Sequence, residues 1–93
     1  MVSALTEDIE HCYVCGRPEP QMHHCIYGTG NRSISNKYQY IIPLCMDHHT
    51  GRDGVHNGNK ALDMHLKQLA QKHFERYHGS REDFIRVFGK SYL

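Results

Sequence analysis

Nine histidines and four cysteines in 93 residues give this chain a high density of imidazole and thiol, the side chains that bind zinc and related ions best. Cys12 and Cys15 are separated by two residues, and so are Cys45 and His48. Paired sets of this kind, with thiolate and imidazole donors, suit a closed tetrahedral structural zinc. The 29 residues between Cys15 and Cys45 are too many for a finger that lays one helix in a groove, and leave room for a hairpin between the two knuckles. His49 could replace His48 as the fourth ligand. Cys25 is the odd cysteine, and a small buried hydrophobe is its ordinary reading.

Setting those four ligands aside leaves His23, His24, His49 and His56 as a second group. Three imidazoles can hold a cation with coordination positions still open, which is the mark of a catalytic site. A fourth, neutral near pH 7, can take a proton from water. Adjacent residues on a strand point to opposite faces, so His23 and His24 could serve different roles. Either one alone would more simply be a satisfied buried histidine, but the four together point to a metal-plus-base site. His11, His65, His73 and His78 read as surface polar residues.

The elements around these residues form one α+β domain, 1–93, with the knuckles and core in 12–59 and a helical extension in 60–93. Hydrophobic residues are 39% and tryptophan is absent, so the core is thin and a staple is needed. Zinc binding worth roughly 10–16 kcal/mol would serve as one. Met1 to Glu10 is a lead-in, frayed at its start. Cys12 to Gly16 is a tight knuckle, and the two prolines of Arg17 to Gln21 mark a loop. Met22 to Tyr27 and the aromatic, β-branched Tyr38 to Leu44 read as strands. They are joined by a flexible polar loop, Gly28 to Asn36. Leu62, Leu66, Leu69, His73 and Tyr77, widened by Ala70 and Phe74, predict a helix from Lys60 to Tyr77. Gly79 stops it. Ser80 and Asp83 then cap a second helix, Arg81 to Phe88, which Gly89 ends.

Charged residues are 23% with a net charge of +1. That balance argues against disorder and gives no support of its own for a nucleic-acid partner. Met1 to Glu10 lacks a basic start and an apolar run, and no stretch is apolar enough to span a membrane. A reducing, cytoplasmic compartment is therefore expected, with the cysteines as zinc ligands rather than disulfides.

The order Cys-x2-Cys, His-His, Pro-Leu-Cys-x2-His-His and a further His resembles the HNH family, also called His-Me finger or ββα-metal nucleases. It is closest to small phage and prophage forms and similar to Ref-type recombination-associated nucleases. The resemblance spans about Cys12 to His56. It implies a β-hairpin and helix clasped on one divalent ion, and cleavage of DNA, expected to be duplex. By position, His23 is a ligand to the ion, His24 the general base, and His49 and His56 the remaining ligands. The family commonly spaces the last two ligands four residues apart, which makes Asp53 a rival to His56 unless Gly51 to Gly54 loops out. The family's central asparagine falls at Tyr40 by counting back, with Asn36 the nearest asparagine. Magnesium or manganese is the expected catalytic ion, with zinc or nickel also accepted by such ligands. Arg32, Lys37, Arg52 and Lys60 are candidate phosphate contacts, helped by the amides of Gly28 to Gly30. The cell would be bacterial or phage-infected. A homodimer through the terminal helices, or recruitment by a phage recombination or packaging machine, would fit. The alternatives are a non-catalytic zinc module that grips nucleic acid or protein, and a disulfide-stapled secreted domain.

Overall fold

The computed structural model describes residues 2–93. Strands β1 (Gln21–His24) and β2 (Ile41–Leu44) pair antiparallel, with Gln21 opposite Leu44 and His24 opposite Ile41. Helix α1 (Asn31–Tyr38) lies in the connection between them, and a single helical turn, α2 (Met46–His49), follows β2 almost directly. The longer helices α3 (Lys60–Tyr77) and α4 (Arg81–Phe88) complete the small α+β arrangement. No helix among the described residues is long and apolar enough to cross a membrane.

All four residues of β2 are buried, so this strand is the floor of the core. Pro43 within it has no N–H to give to the sheet, but its carbonyl accepts the Tyr13 N–H at 2.8 Å and so ties the first knuckle to the strand. The lead-in is pinned to the same region. Ala4 N–H donates to the Gln39 carbonyl at 2.8 Å, and the Ser3 hydroxyl donates to that of Ile41 at 2.5 Å. The expected fraying of the start falls on Met1, outside the described residues.

The connection between the strands departs from the sequence expectation in two places. The flexible loop Gly28 to Asn36 is largely helical, and the second strand begins at Ile41 rather than Tyr38. The cause is the same in both places. Helix α1 presents only two apolar residues to the core, Ile34 and Tyr38, and its one fully buried residue is Ser35, whose hydroxyl donates to the Ile26 carbonyl at 2.5 Å. Asn31 Nδ2 donates to the Phe88 carbonyl at 3.2 Å from the far end of the chain. A helix of eight residues held by one apolar pair and tertiary hydrogen bonds gives too short a periodic signal to read. It ends at Gln39, in the left-handed region at φ 62°, which takes Tyr38 out of the strand, while the Tyr40 carbonyl still accepts the Cys25 N–H at 2.9 Å. The Tyr38 and Tyr40 rings stack, with centroids 5.7 Å apart. The first strand also stops earlier than expected, at His24 rather than Tyr27.

Helices α3 and α4 lie where their patterns predict. The Asn59 side chain caps α3 by accepting from the Leu62 N–H at 3.1 Å. Ser80 and Asp83 form a reciprocal capping box on α4. Leu66, Ala70 and Phe74 are buried along α3, whereas Tyr77, at the end of the predicted stripe, lies beyond the core and is exposed. Phe84 meets Phe74 edge-on at 5.5 Å and Phe88 at 4.8 Å. His73 is not a plain surface residue: its Nδ1 is 3.1 Å from the hydroxyl of buried Tyr40. Cys25 is fully buried, as its composition-based reading expects.

Phe84 is the centre of the α3–α4 contact and is inaccessible to solvent. Phe84→Ala is expected to lower stability by about 3–5 kcal/mol. Urea unfolding would read this as a lower midpoint at unchanged slope.

Candidate metal centres

The first knuckle is a closed local structure. Cys12 N–H donates to the Arg17 carbonyl at 2.8 Å, and Gly16 N–H donates back to the Cys12 carbonyl at 2.9 Å. Gly16 sits at φ 78°, a left-handed turn that glycine adopts without strain. The second knuckle is α2 itself. Cys45 occupies its N-cap position, and the Cys45 carbonyl accepts the His49 N–H at 2.9 Å. An ion pair between Arg17 and Asp47 joins the two knuckles at the surface.

These elements bring Cys12, Cys15, Cys45 and His48 together, with one ligand atom of each within 4.8 Å of the others. Cys15 Sγ and Cys45 Sγ are 3.6 Å apart, and His48 Nδ1 lies 3.2 Å from Cys45 Sγ and 3.9 Å from Cys12 Sγ. All four cysteines of the chain are free thiols. Burial works to raise the Cys45 thiol, but hydrogen bonds from the His48 backbone and ring and from Cys15 outweigh it and bring it to about 6. A Cys3His group with this donor chemistry can hold a metal ion such as zinc.

A second group lies on the other side of α2. His23, His49 and His56 place one ring nitrogen each within 4.8 Å of one another. Their ring centroids are 4.9–5.2 Å apart. His23 comes from β1, where the pairing with β2 buries it to 1% exposure. Its Nε2 is buried and has no hydrogen-bond partner among the described residues. An orphaned polar atom is costly in a core, and a lone pair facing two other imidazoles is relieved by a cation. Burial, then the neighbouring His49, His56 and His24, depress the His23 pKa to about 3. The ring is therefore neutral at ordinary pH, as a metal ligand must be. Burial and then His56, Arg32 and His24 also lower that of His49.

His56 reaches this group although seven positions separate it from His49. The intervening segment loops out, and the chain then returns to α2. Val55 N–H donates to the His48 carbonyl at 2.9 Å and His56 N–H to the His49 carbonyl at 3.0 Å. Gly51 and Gly54 permit this. A Cβ at Gly51 would lie 2.7 Å from the Asp47 Cα, and one at Gly54 would lie 2.6 Å from the His49 carbonyl oxygen. Asp53, the rival at the shorter spacing, is exposed on the loop and is not in the group.

His24 stands apart from the three ligand candidates. Its Nε2 is 2.8 Å from Asn36 Oδ1 on α1. Of the two residues weighed for the place beside His24, Asn36 is the one in contact with it, while Tyr40 is buried in the core. His24 and the three clustered histidines line one cavity of about 350 Å³ with Met22, Tyr27 and Arg32. Of the four candidate phosphate contacts only Arg32 lines it; Lys37, Arg52 and Lys60 are exposed elsewhere on the surface.

Two contacts of this site were not read from the sequence. Tyr27 packs 5.0 Å from the His56 ring and donates its hydroxyl to Asp63 Oδ1 at 2.9 Å, while Lys67 pairs with Asp63 at 2.8 Å. The Asp63–Lys67 spacing on one helix face was visible, but not its link to Tyr27. Gln21 Oε1 lies 2.6 Å from His49 Nδ1, a pairing across 28 positions that no local signal announces.

Comparison with protein-family models, curated proteins and solved structures finds no match. The two clusters therefore rest on their own geometry, which generates two tests. Stripping the metal with a strong chelator, or Cys45→Ser, is expected to abolish the cooperative unfolding transition and most helical circular dichroism. Survival of both would show that the Cys3His group is not the staple. Gly54→Ala is expected to leave that group intact while weakening ion binding at the histidines at least about tenfold. Cobalt titration separates the two, because only the first cluster gives thiolate charge-transfer bands.

Proposed function

We propose that this chain is an HNH-type endonuclease, a ββα-metal enzyme that hydrolyses DNA phosphodiester bonds. The observation that carries the reading is His24, fixed by Asn36 at the wall of the same cavity into which three histidines converge. That pairing supplies a base beside an open cation site, and a structural zinc module would have no use for it.

The amide oxygen of Asn36 can only accept a hydrogen bond, so the proton of neutral His24 resides on Nε2. Nδ1 then carries the free lone pair. In the proposed reaction His24 Nδ1 takes a proton from water as the water oxygen attacks phosphorus. The bond from phosphorus to the 3′ oxygen breaks, and that oxygen leaves with a proton from solvent. The products carry 5′-phosphate and 3′-hydroxyl ends. Arg32 is placed to neutralise a non-bridging phosphate oxygen. His23, His49 and His56 would hold the divalent ion, which supplies positive charge for the phosphate and the departing oxygen. Three imidazoles without a carboxylate suit nickel or zinc better than magnesium or manganese, whose preferred ligands are oxygens.

Nicking of supercoiled plasmid across a panel of divalent ions tests this reading. The zinc-loaded wild type is expected to cut with at least one ion. His24→Ala is expected to lose about a hundredfold or more of that rate while remaining folded, and Asn36→Ala to lose less. Cutting by His24→Ala at the wild-type rate would sink the role of His24. A wild type inert with every ion would favour a non-catalytic zinc module.

A further inference from the structure

Residues two apart on a strand share a face, so Gln21 and His23 of β1 lie on one side and His24 on the other. His23 enters the histidine cluster. Gln21, near it on the same face, places Oε1 2.6 Å from Nδ1 of His49, the ligand candidate contributed by α2. The register that pairs Gln21 with Leu44 sets this contact, because Leu44 immediately precedes the Cys45 that caps α2.

We propose that Gln21 is a positioning residue for the histidine cluster, holding the His49 proton on Nδ1 so that Nε2 is the nitrogen offered to a metal ion. The inference rests on the reading of that cluster as an ion site. An amide oxygen accepts and cannot donate, so the contact admits only the tautomer with hydrogen on Nδ1. Without it, the ring could turn or move its proton to Nε2, and each ion would then have to displace that proton or reorient the ring. Outer hydrogen bonds of this type also raise ligand basicity, and their loss commonly costs about ten- to a hundredfold in metal affinity. His24 shows the complementary arrangement. Asn36 holds its proton on Nε2, and the ring keeps Nδ1 free. Two carboxamides thus select opposite tautomers in two imidazoles of one cavity.

The test uses the zinc-loaded 93-residue chain with manganese or cobalt as the second ion. Long-range nitrogen NMR of the His49 ring before the second ion is added is expected to show the proton on Nδ1 in the wild type and a shift toward Nε2 in Gln21→Ala. Calorimetric titration is expected to show Gln21→Ala binding the second ion about ten- to a hundredfold more weakly. Gln21→Glu, which restores an acceptor, is expected to recover the affinity, and Gln21→Leu is not. A merely structural glutamine would not separate those last two variants. A His49 proton on Nε2 in the wild type, or unchanged affinity in Gln21→Ala, overturns the assignment while leaving the ion site standing. Failure of the wild type to bind any second ion removes the ion site and the assignment with it.

Discussion

Three cysteines and a histidine drawn from opposite ends of a hairpin converge within 4.8 Å of one another, a donor set that could hold a metal ion such as zinc. As thiolates without such an ion they would repel one another and lose hydration. Everything else in the amino-terminal half hangs from this convergence. It closes the chain from Cys12 to His48, presses the Tyr13 amide onto β2, and forces the turn that becomes α2. The thin core of β2, α3 and α4 then has a fixed edge to pack against.

One helical turn carries this order across to the histidines. His48 faces the thiols and His49 the imidazoles, and the carbonyls of the same two residues receive Val55 and His56. The strand doublet works in a parallel way, with His23 buried in the cluster and His24 held by α1. In both doublets, backbone geometry divides consecutive residues between two environments. The proposed nuclease chemistry needs that division, because a base that also bound the ion would have no lone pair left for water.

The parts of this fold that announce themselves in sequence do so through local physics. Helices α3 and α4 were legible because an apolar stripe and capping side chains act within a few residues of each other. The Cys3His group was legible because knuckle ligands come at fixed spacing. Helix α1 was not, since Ser35 and Asn31 find their partners at Ile26 and Phe88. Choosing His56 over Asp53 depends on a loop whose path is set by two glycines pressed against α2. Choosing Asn36 over Tyr40 depends on a helix that the pattern does not reveal. Gln21 and Tyr27 stayed hidden for the same reason, because their partners are distant and their types are common.

The adjacency of His48 and His49 also bears on how such a chain can drift in length over evolutionary time. Inserting or deleting one residue between Cys45 and His49 would rotate the turn by about 100° and hand each imidazole to the wrong neighbour. Thr50 and Gly51 still bond the Met46 carbonyl and Val55 and His56 return to α2, so only the Arg52–Asp53 tip stands clear of the turn, with the Asp53 carbonyl accepting from Asn59 Nδ2 at 2.9 Å. Length variation among descendants of this sequence should therefore accumulate in that loop, where the interval between His49 and His56 can change without altering where either ring arrives.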